Sequence, residues 1–292
     1  MISIIKSARI RQIQYCSRLL RGISAVRIGF AVIKAARTLP LVRGMLFALV
    51  GYNRPFPTLK DAAAAIAGYE GSGHSNPNYL AIKIPEAEKP RPGDYAALFH
   101  LERARSQIHK VFDLGGSVGN LFYCYSEYLD FPHGLCWTVC DLVETNRLGE
   151  RLASSKGEQR LRFTDQLTDA DGSDLMIVSG SLHYFEEPLS NMLAAFAIKP
   201  RYVLVNRAPL VDVPSLATVQ DGGTYRLACM LHNRNDLIQG LGALGYELVD
   251  SWEIRERSVT IPCYPDRSAR SYSGLFFELR ASNGSSCERI AG

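Results

Sequence analysis

Hydrophobic and polar positions alternate in two textures along the chain. Over residues 1–50, Ile10, Ile13, Leu19, Leu20, Ile23, Val26 and Phe30 return at roughly helical intervals with arginines between them. That spacing predicts one or two amphipathic helices. Pro40, Pro55 and Pro57 interrupt the pattern. A short helix is expected over Asp61–Ala67, with Thr58 as its N-cap, because a hydroxyl there accepts from an unpaired N–H of the first turn. Residues 71–94, rich in Gly, Ser, Asn and Pro, predict a loop, and a helix should follow over about 95–108.

From Lys110 onward short apolar runs alternate with helical segments. Strands are expected at Val111–Leu114, Cys136–Asp141, Leu161–Phe163, Asp174–Ser179, Tyr202–Asn206, Tyr246–Trp252 and Ser273–Leu279. Helices are expected at Asn120–Leu129, Leu189–Ala197 and Leu237–Leu244. Such alternation implies an α/β domain whose mainly parallel sheet is covered on both faces. The chain therefore divides into a basic helical segment (1–57), a helical cap or lid with its loop (58–105), the α/β domain (106–281) and a flexible tail (282–292). No internal repeat is visible.

Composition narrows the function classes. With 292 residues, 47% hydrophobic and 21% charged, the chain is neither disordered throughout nor fibrous. No uncharged apolar run approaches the roughly 20 residues of a membrane span. The net charge of +4 conceals an asymmetry: eleven basic residues precede the first acid, Asp61, and the remainder carries 22 basic against 29 acidic residues. Residues 1–50 are thus either a helical appendage with solvated arginines or a weak contact for an acidic membrane surface or protein partner. Arginines break every candidate signal-peptide core, so a cytoplasmic protein is expected. The acidic α/β part lacks an aromatic-basic platform and argues against nucleic acid. Seven scattered cysteines without CxxC read as reduced thiols, and the histidines lack metal-ligand spacing, so no protein-bound metal is expected.

The informative segment is Val111-Phe112-Asp113-Leu114-Gly115-Gly116-Ser117-Val118-Gly119-Asn120. Glycines at a strand-to-helix junction let the chain turn sharply and bring backbone N–H groups close to a ligand. The acid at the strand end favours a hydroxyl or ammonium and repels a pyrophosphate, and no P-loop pattern is present. Asp141 ends the next strand and Asp165 follows the third. Strand ends in such a sheet border one crevice. Asp141 there can accept from both hydroxyls of a ribose, and Asp165 from the exocyclic amine of an adenine.

These residues resemble the class I S-adenosylmethionine-dependent methyltransferases, whose first motif is an apolar strand, an acid and a Gly-x-Gly-x-Gly loop. In order, Asp113-Leu-Gly-Gly-Ser-Val-Gly119, Trp137-Thr-Val-Cys-Asp141, Ser179-Gly-Ser-Leu-His-Tyr184, Asn206-Arg-Ala-Pro209 and Thr218-Val-Gln220 resemble a methyltransferase family of polysaccharide and natural-product gene clusters. The resemblance spans about residues 58–280. It implies a Rossmann-like, mainly parallel seven-stranded sheet with an N-terminal helical cap. It also implies that S-adenosylmethionine is bound by Asp113, Gly115, Gly116, Ser117, Gly119, Asp141, Asp165, Ser179 and Ser181. The family tends to carry Glu at position 141 and Asp at position 206. It includes bacterial azetidine-2-carboxylate synthases, which cyclise S-adenosylmethionine and release methylthioadenosine.

Candidate catalytic groups follow the fourth and fifth strands. His183 is a candidate general base, with an ordinary pKa of about 6.5, beside Tyr184. Gln220, Tyr225, His232 and Asn233 lie in the insert where an acceptor pocket is expected, and Tyr225 could face a sulfonium by cation–π attraction. Tyr69 and Tyr95 are lid candidates on the same argument. Three readings remain open: methyl transfer to a small molecule, intramolecular cyclisation of the cofactor, and an inactive cofactor-binding interaction module. The oligomeric state is open as well.

Overall fold

The computed structural model describes residues 2–74 and 90–280. The expected tail and most of the expected loop over 71–94 lie outside them.

Three helices lead the chain: α1 (Ile2–Ala25), α2 (Arg27–Ala36) and α3 (Pro40–Val50). Pro40 occupies the first position of α3, where its missing N–H costs nothing, and Gly51 ends that helix with φ of 76°. Leu20, Leu46 and Val50 form a small core between α1 and α3, while Ile28 and Leu41 remain exposed. The arginine-studded stripe thus produces a helical layer that is only partly covered. No helix among the described residues is long and apolar enough to cross a membrane. The short helix α4 (Leu59–Ala64) is capped as expected, with the Thr58 hydroxyl accepting from the Asp61 N–H at 3.1 Å. Helix α5 spans Tyr95–Ala104.

Seven strands form one sheet: β1 (Lys110–Leu114), β2 (Cys136–Cys140), β3 (Leu161–Thr164), β4 (Leu175–Ser179), β5 (Tyr202–Ala208), β9 (Tyr246–Ile254) and β10 (Tyr272–Leu279). Their order is β3-β2-β1-β4-β5-β10-β9. β1 to β5 pair in parallel, and β10 runs antiparallel to both β5 and β9. Burial on both faces explains the short apolar runs. Leu175 and Ile177 of β4 pack on the face covered by α5 and by α6 (Asn120–Ser126). Met176 and Val178 pack on the opposite face, under α8 (Leu189–Ala194) and α9 (Arg234–Ala243). The order reverses between β1 and β4, so the loops after β1, β2, β4 and β5 open onto one crevice.

Two elements depart from expectation. A helix, α7 (Val143–Lys156), follows β2, where the sequence carries too few apolar residues to mark an amphipathic stripe. The insert after β5 is itself a sheet, of order β6-β8-β7, built from β6 (Leu210–Val211), β7 (Leu216–Asp221) and β8 (Arg226–Asn233). Phe47 of α3, Phe56 and Ala62 of α4 cover one of its faces through Ala217, Val219 and Met230. Several expected helices are also shorter: the turn after β1 ends its helix at Ser126, and the helix after β4 ends at Ala194.

Candidate active site

The crevice holds a cavity of about 480 Å³. Its floor is the loop after β1. Gly115 adopts φ of 71°, and a Cβ there would collide with Ser181. A Cβ at Gly116 would stand 2.5 Å from the Asp113 carboxyl. The loop is therefore closed against its neighbours on the inside and leaves its backbone facing the cavity. Ser117, also left-handed at φ of 62°, donates its N–H to Asp141 Oδ2 at 2.9 Å. The Leu142 N–H reaches Asp141 Oδ1 at 2.8 Å, so the carboxylate that follows β2 is fixed in the cavity wall. The Asn146 amide secures this corner by donating to the carbonyls of Asp141 and Thr164.

Asp113 lies beneath the loop and is not among the lining residues. Trp137 Nε1 donates to its Oδ2 at 3.3 Å, while its Oδ1 is buried with no hydrogen-bond partner among the described residues. Burial raises its pKa to about 7, against the pull of the Trp137 bond and Arg207. Gly119 also stands off the cavity and instead opens α6 at φ of 87°. Gly115, Gly116, Ser117, Asp141 and Asp165 all line it, Asp165 from the loop after β3.

The strand order is that of the class I methyltransferase fold. Solved structures with a similar fold include a 1,6-didemethyltoxoflavin-N1-methyltransferase from Burkholderia thailandensis, solved with 1,6-didemethyltoxoflavin and S-adenosylhomocysteine. It is 20% identical over 78% of this chain and 93% of its own, with a TM-score of 0.48. The mitomycin 7-O-methyltransferase is 13% identical over 95% of this chain and 96% of its own, with a TM-score of 0.46. An O-methyltransferase from neocarzinostatin biosynthesis, with S-adenosylhomocysteine and 1,4-dihydroxy-2-naphthoic acid, is 16% identical over 76% of this chain and 68% of its own, with a TM-score of 0.40. No family model and no curated protein matches the chain. Likenesses this distant leave the assignment to the chain's own strand order and site.

Ser179 and Ser181 line the cavity, but their hydroxyls are engaged within the protein. Ser181 Oγ donates to the Leu114 carbonyl and pins the glycine loop. Ser179 Oγ accepts from Arg207 Nε at 3.1 Å and Nη2 at 3.0 Å. His183 and Tyr184 follow on the same turn, with ring centroids 4.1 Å apart. His183 is buried, its Nδ1 has no hydrogen-bond partner among the described residues, and burial together with nearby His74, His232 and Arg257 lowers its pKa to about 3. Tyr184 donates to Gln220 Oε1 at 3.3 Å, and the Gln220 amide donates to the Tyr52 hydroxyl at 3.4 Å. Tyr225 reaches the cavity from the β7–β8 turn, where Gly222 leaves room for its ring.

The other candidates do not line the cavity. The His232 ring bonds the carbonyls of Leu182 and Phe185, and Asn233 caps α9; neither lines the cavity. Tyr69 donates to the Gly223 carbonyl and Tyr95 is exposed, and both stand off the cavity wall. Sequence reasoning missed Asp94, Arg207 and Arg257. Asp94 is buried, accepts from Tyr125, Asn206 and the Arg91 N–H, and lies 3.7 Å from Arg207 Nε. Arg207 is held at φ of 53°, a strained value of the kind that clusters at functional sites. Asn206-Arg207 at the end of β5 was the available signal. Asp94 lies 112 positions from Asn206 and gave none. Among the described residues no three His, Cys, Asp or Glu side chains gather as a metal site requires.

Proposed function

We propose that the chain is an S-adenosylmethionine-dependent enzyme that transfers a methyl group to a small-molecule acceptor. One observation carries the reading. A single cavity is lined at once by Gly115, Gly116, Asp141 and Asp165 from one half of the sheet, and by Gln220, Tyr225 and Arg257 from the insert and the loop after β9. The first group suits a nucleoside with an amino-acid arm, and the second leaves room for an acceptor.

The residues present fit the cofactor. The Asp141 carboxylate suits the two ribose hydroxyls, Asp165 suits the adenine amine, and the glycine backbone admits the methionine arm. Bound there, the cofactor supplies an electrophilic methyl on a sulfonium that is already a good leaving group. The chain's task is then positioning. His183, uncharged at neutral pH, accepts a hydrogen bond from the acceptor and orients it; a ring held down to about 3 stores a proton poorly. Arg207, fixed by Ser179 and Asp94, keeps the crevice floor rigid between β4 and β5.

The test is titration calorimetry with S-adenosylhomocysteine, followed by incubation with S-adenosylmethionine alone and mass spectrometry of the products. Binding is expected, weakened about tenfold or more in Asp141→Asn. Failure to bind up to about 1 mM would overturn the reading. Enzyme-dependent azetidine-2-carboxylate with methylthioadenosine would replace methyl transfer by cyclisation. Binding without turnover on any acceptor would favour the inactive module.

A further inference from the structure

The acceptor side of the cavity carries a guanidinium without a counter-charge among the described residues. Arg257 lines the cavity, half-buried, and pairs with no carboxylate among the described residues. Its backbone is fixed, since its N–H donates to the Ile254 carbonyl at 3.4 Å and its carbonyl accepts from the Tyr272 N–H at 3.2 Å. The nearest acids along the chain are already engaged. Glu256 Oε1 accepts from the Gly93 N–H at 2.9 Å, and Glu253 pairs with Arg255 at 3.0 Å. The contrast with Arg207 is instructive, because Asp94 lies beside that guanidinium.

A second observation points the same way. Tyr184 donates to Gln220 and Gln220 donates to Tyr52, whose hydroxyl lies 2.9 Å from that of Tyr272, either of the two being able to donate. When Tyr52 donates, the Tyr272 proton is left for the cavity that this residue lines. Arg257 and Tyr272 thus stand on one cavity wall, with no carboxylate paired to the guanidinium among the described residues. A half-buried charge of this kind costs free energy unless an anion joins it, and a guanidinium presents the planar fork that a carboxylate matches.

We propose that the acceptor carries a carboxylate, received by Arg257 and the Tyr272 hydroxyl. The assignment rests on the reading of this cavity as the acceptor half of a methyltransferase site. The carboxylate anchors the acceptor, and Tyr184 and Tyr225 supply apolar ring surface around the rest of it.

The experiment is calorimetry on the full chain with 4-hydroxybenzoate and the isosteric 4-hydroxybenzamide, each with and without saturating S-adenosylhomocysteine. The carboxylate is expected to bind about tenfold more tightly than the amide. Arg257→Met should erase that preference and Arg257→Lys should restore part of it, while both leave S-adenosylhomocysteine affinity unchanged and neither lowers the melting temperature. Equal binding of the two probes, a preference that survives Arg257→Met, or no carboxylate binding up to about 10 mM would overturn the proposal. A carboxylate preference lost in Arg257→Met, in a protein that fails to bind S-adenosylhomocysteine, would sustain the anion site and defeat the cofactor reading instead.

Discussion

Asp113 joins two demands that oppose each other at the scale of a single residue. It stands at the end of β1, where the fold needs a small polar group under the glycine loop, and it is almost wholly buried, with one oxygen unpartnered among the described residues. Burial raises its pKa to about 7. Between the ordinary carboxylate value and 7 the folded chain therefore holds a proton that the unfolded chain has lost. This contribution to stability is complete at acid pH and is lost as pH rises through 7. Asp113→Asn keeps the shape and an acceptor for Trp137 but cannot ionise. In thermal melts the parent should lose on the order of 2–3 kcal/mol relative to the variant between pH 5 and pH 8. A difference that is flat across that range would mean that Asp113 ionises freely in the folded protein. His183 runs oppositely: its lowered pKa makes the folded state lose stability as pH falls from about 6.5 toward 3.

At the scale of elements, the part of the fold visible in the sequence is the part buried on both faces. Val111–Leu114, Asp174–Ser179 and Tyr202–Asn206 are apolar because helices cover both sides of the sheet, and that cause leaves a direct mark on composition. The glycine loop follows the first of these segments and Asp141 ends the expected strand Cys136–Asp141, so the proposed cofactor corner could be read with them. The small sheet was harder. Its strands pack apolar residues to both sides over short lengths, and their signal was the turn Asp221-Gly222-Gly223 between alternating runs. Arg257, Asp94 and Tyr52 were beyond reach, since only the folded chain brings them to the crevice. The junction of β8 and α9 tests how far one local residue supports this insert. Asn233 Oδ1 accepts from the Asp236 N–H at 2.9 Å, and its amide donates to the Val213 carbonyl at 2.9 Å. One side chain therefore caps a helix and ties down the β6–β7 connection. Asn233→Ala should lower stability by about 1–2 kcal/mol in denaturant melts, without changing S-adenosylhomocysteine affinity. A cost within a few tenths of a kcal/mol, as found for ordinary surface changes, would show that the cap is dispensable.

At the scale of the molecule, the basic N-terminal helices and the acidic α/β part meet at one buried acid. Asp221 ends β7; its Oδ1 accepts from the Gly223 N–H at 2.7 Å and its Oδ2 lies 3.3 Å from Arg226 Nε. Arg9 of α1 reaches the same carboxylate at 3.8 Å. Arg226 in turn lies 5.0 Å from the Phe47 ring of α3 and 4.1 Å from that of Tyr69. A single negative charge thus holds two guanidinium groups where the helical layer, the segment after α4 and the small sheet converge. Hydrogen bonds that involve no carboxylate also tie α1 to the domain: Ser258 donates to Gln14 and Arg21 donates to Thr260. Removing the charge at Asp221 leaves two partly buried cations facing each other, which costs more than the loss of an exposed pair. Asp221→Asn should lower stability by on the order of 2 kcal/mol and hasten proteolysis within residues 1–50. The glycine loop sits on the other sheet, so S-adenosylhomocysteine affinity should persist. If melting temperature and proteolysis both match the parent, the helical layer is held by its apolar contacts alone, through Phe47 and Phe56 on the small sheet, and the opposed charges of the two halves play no part in joining them.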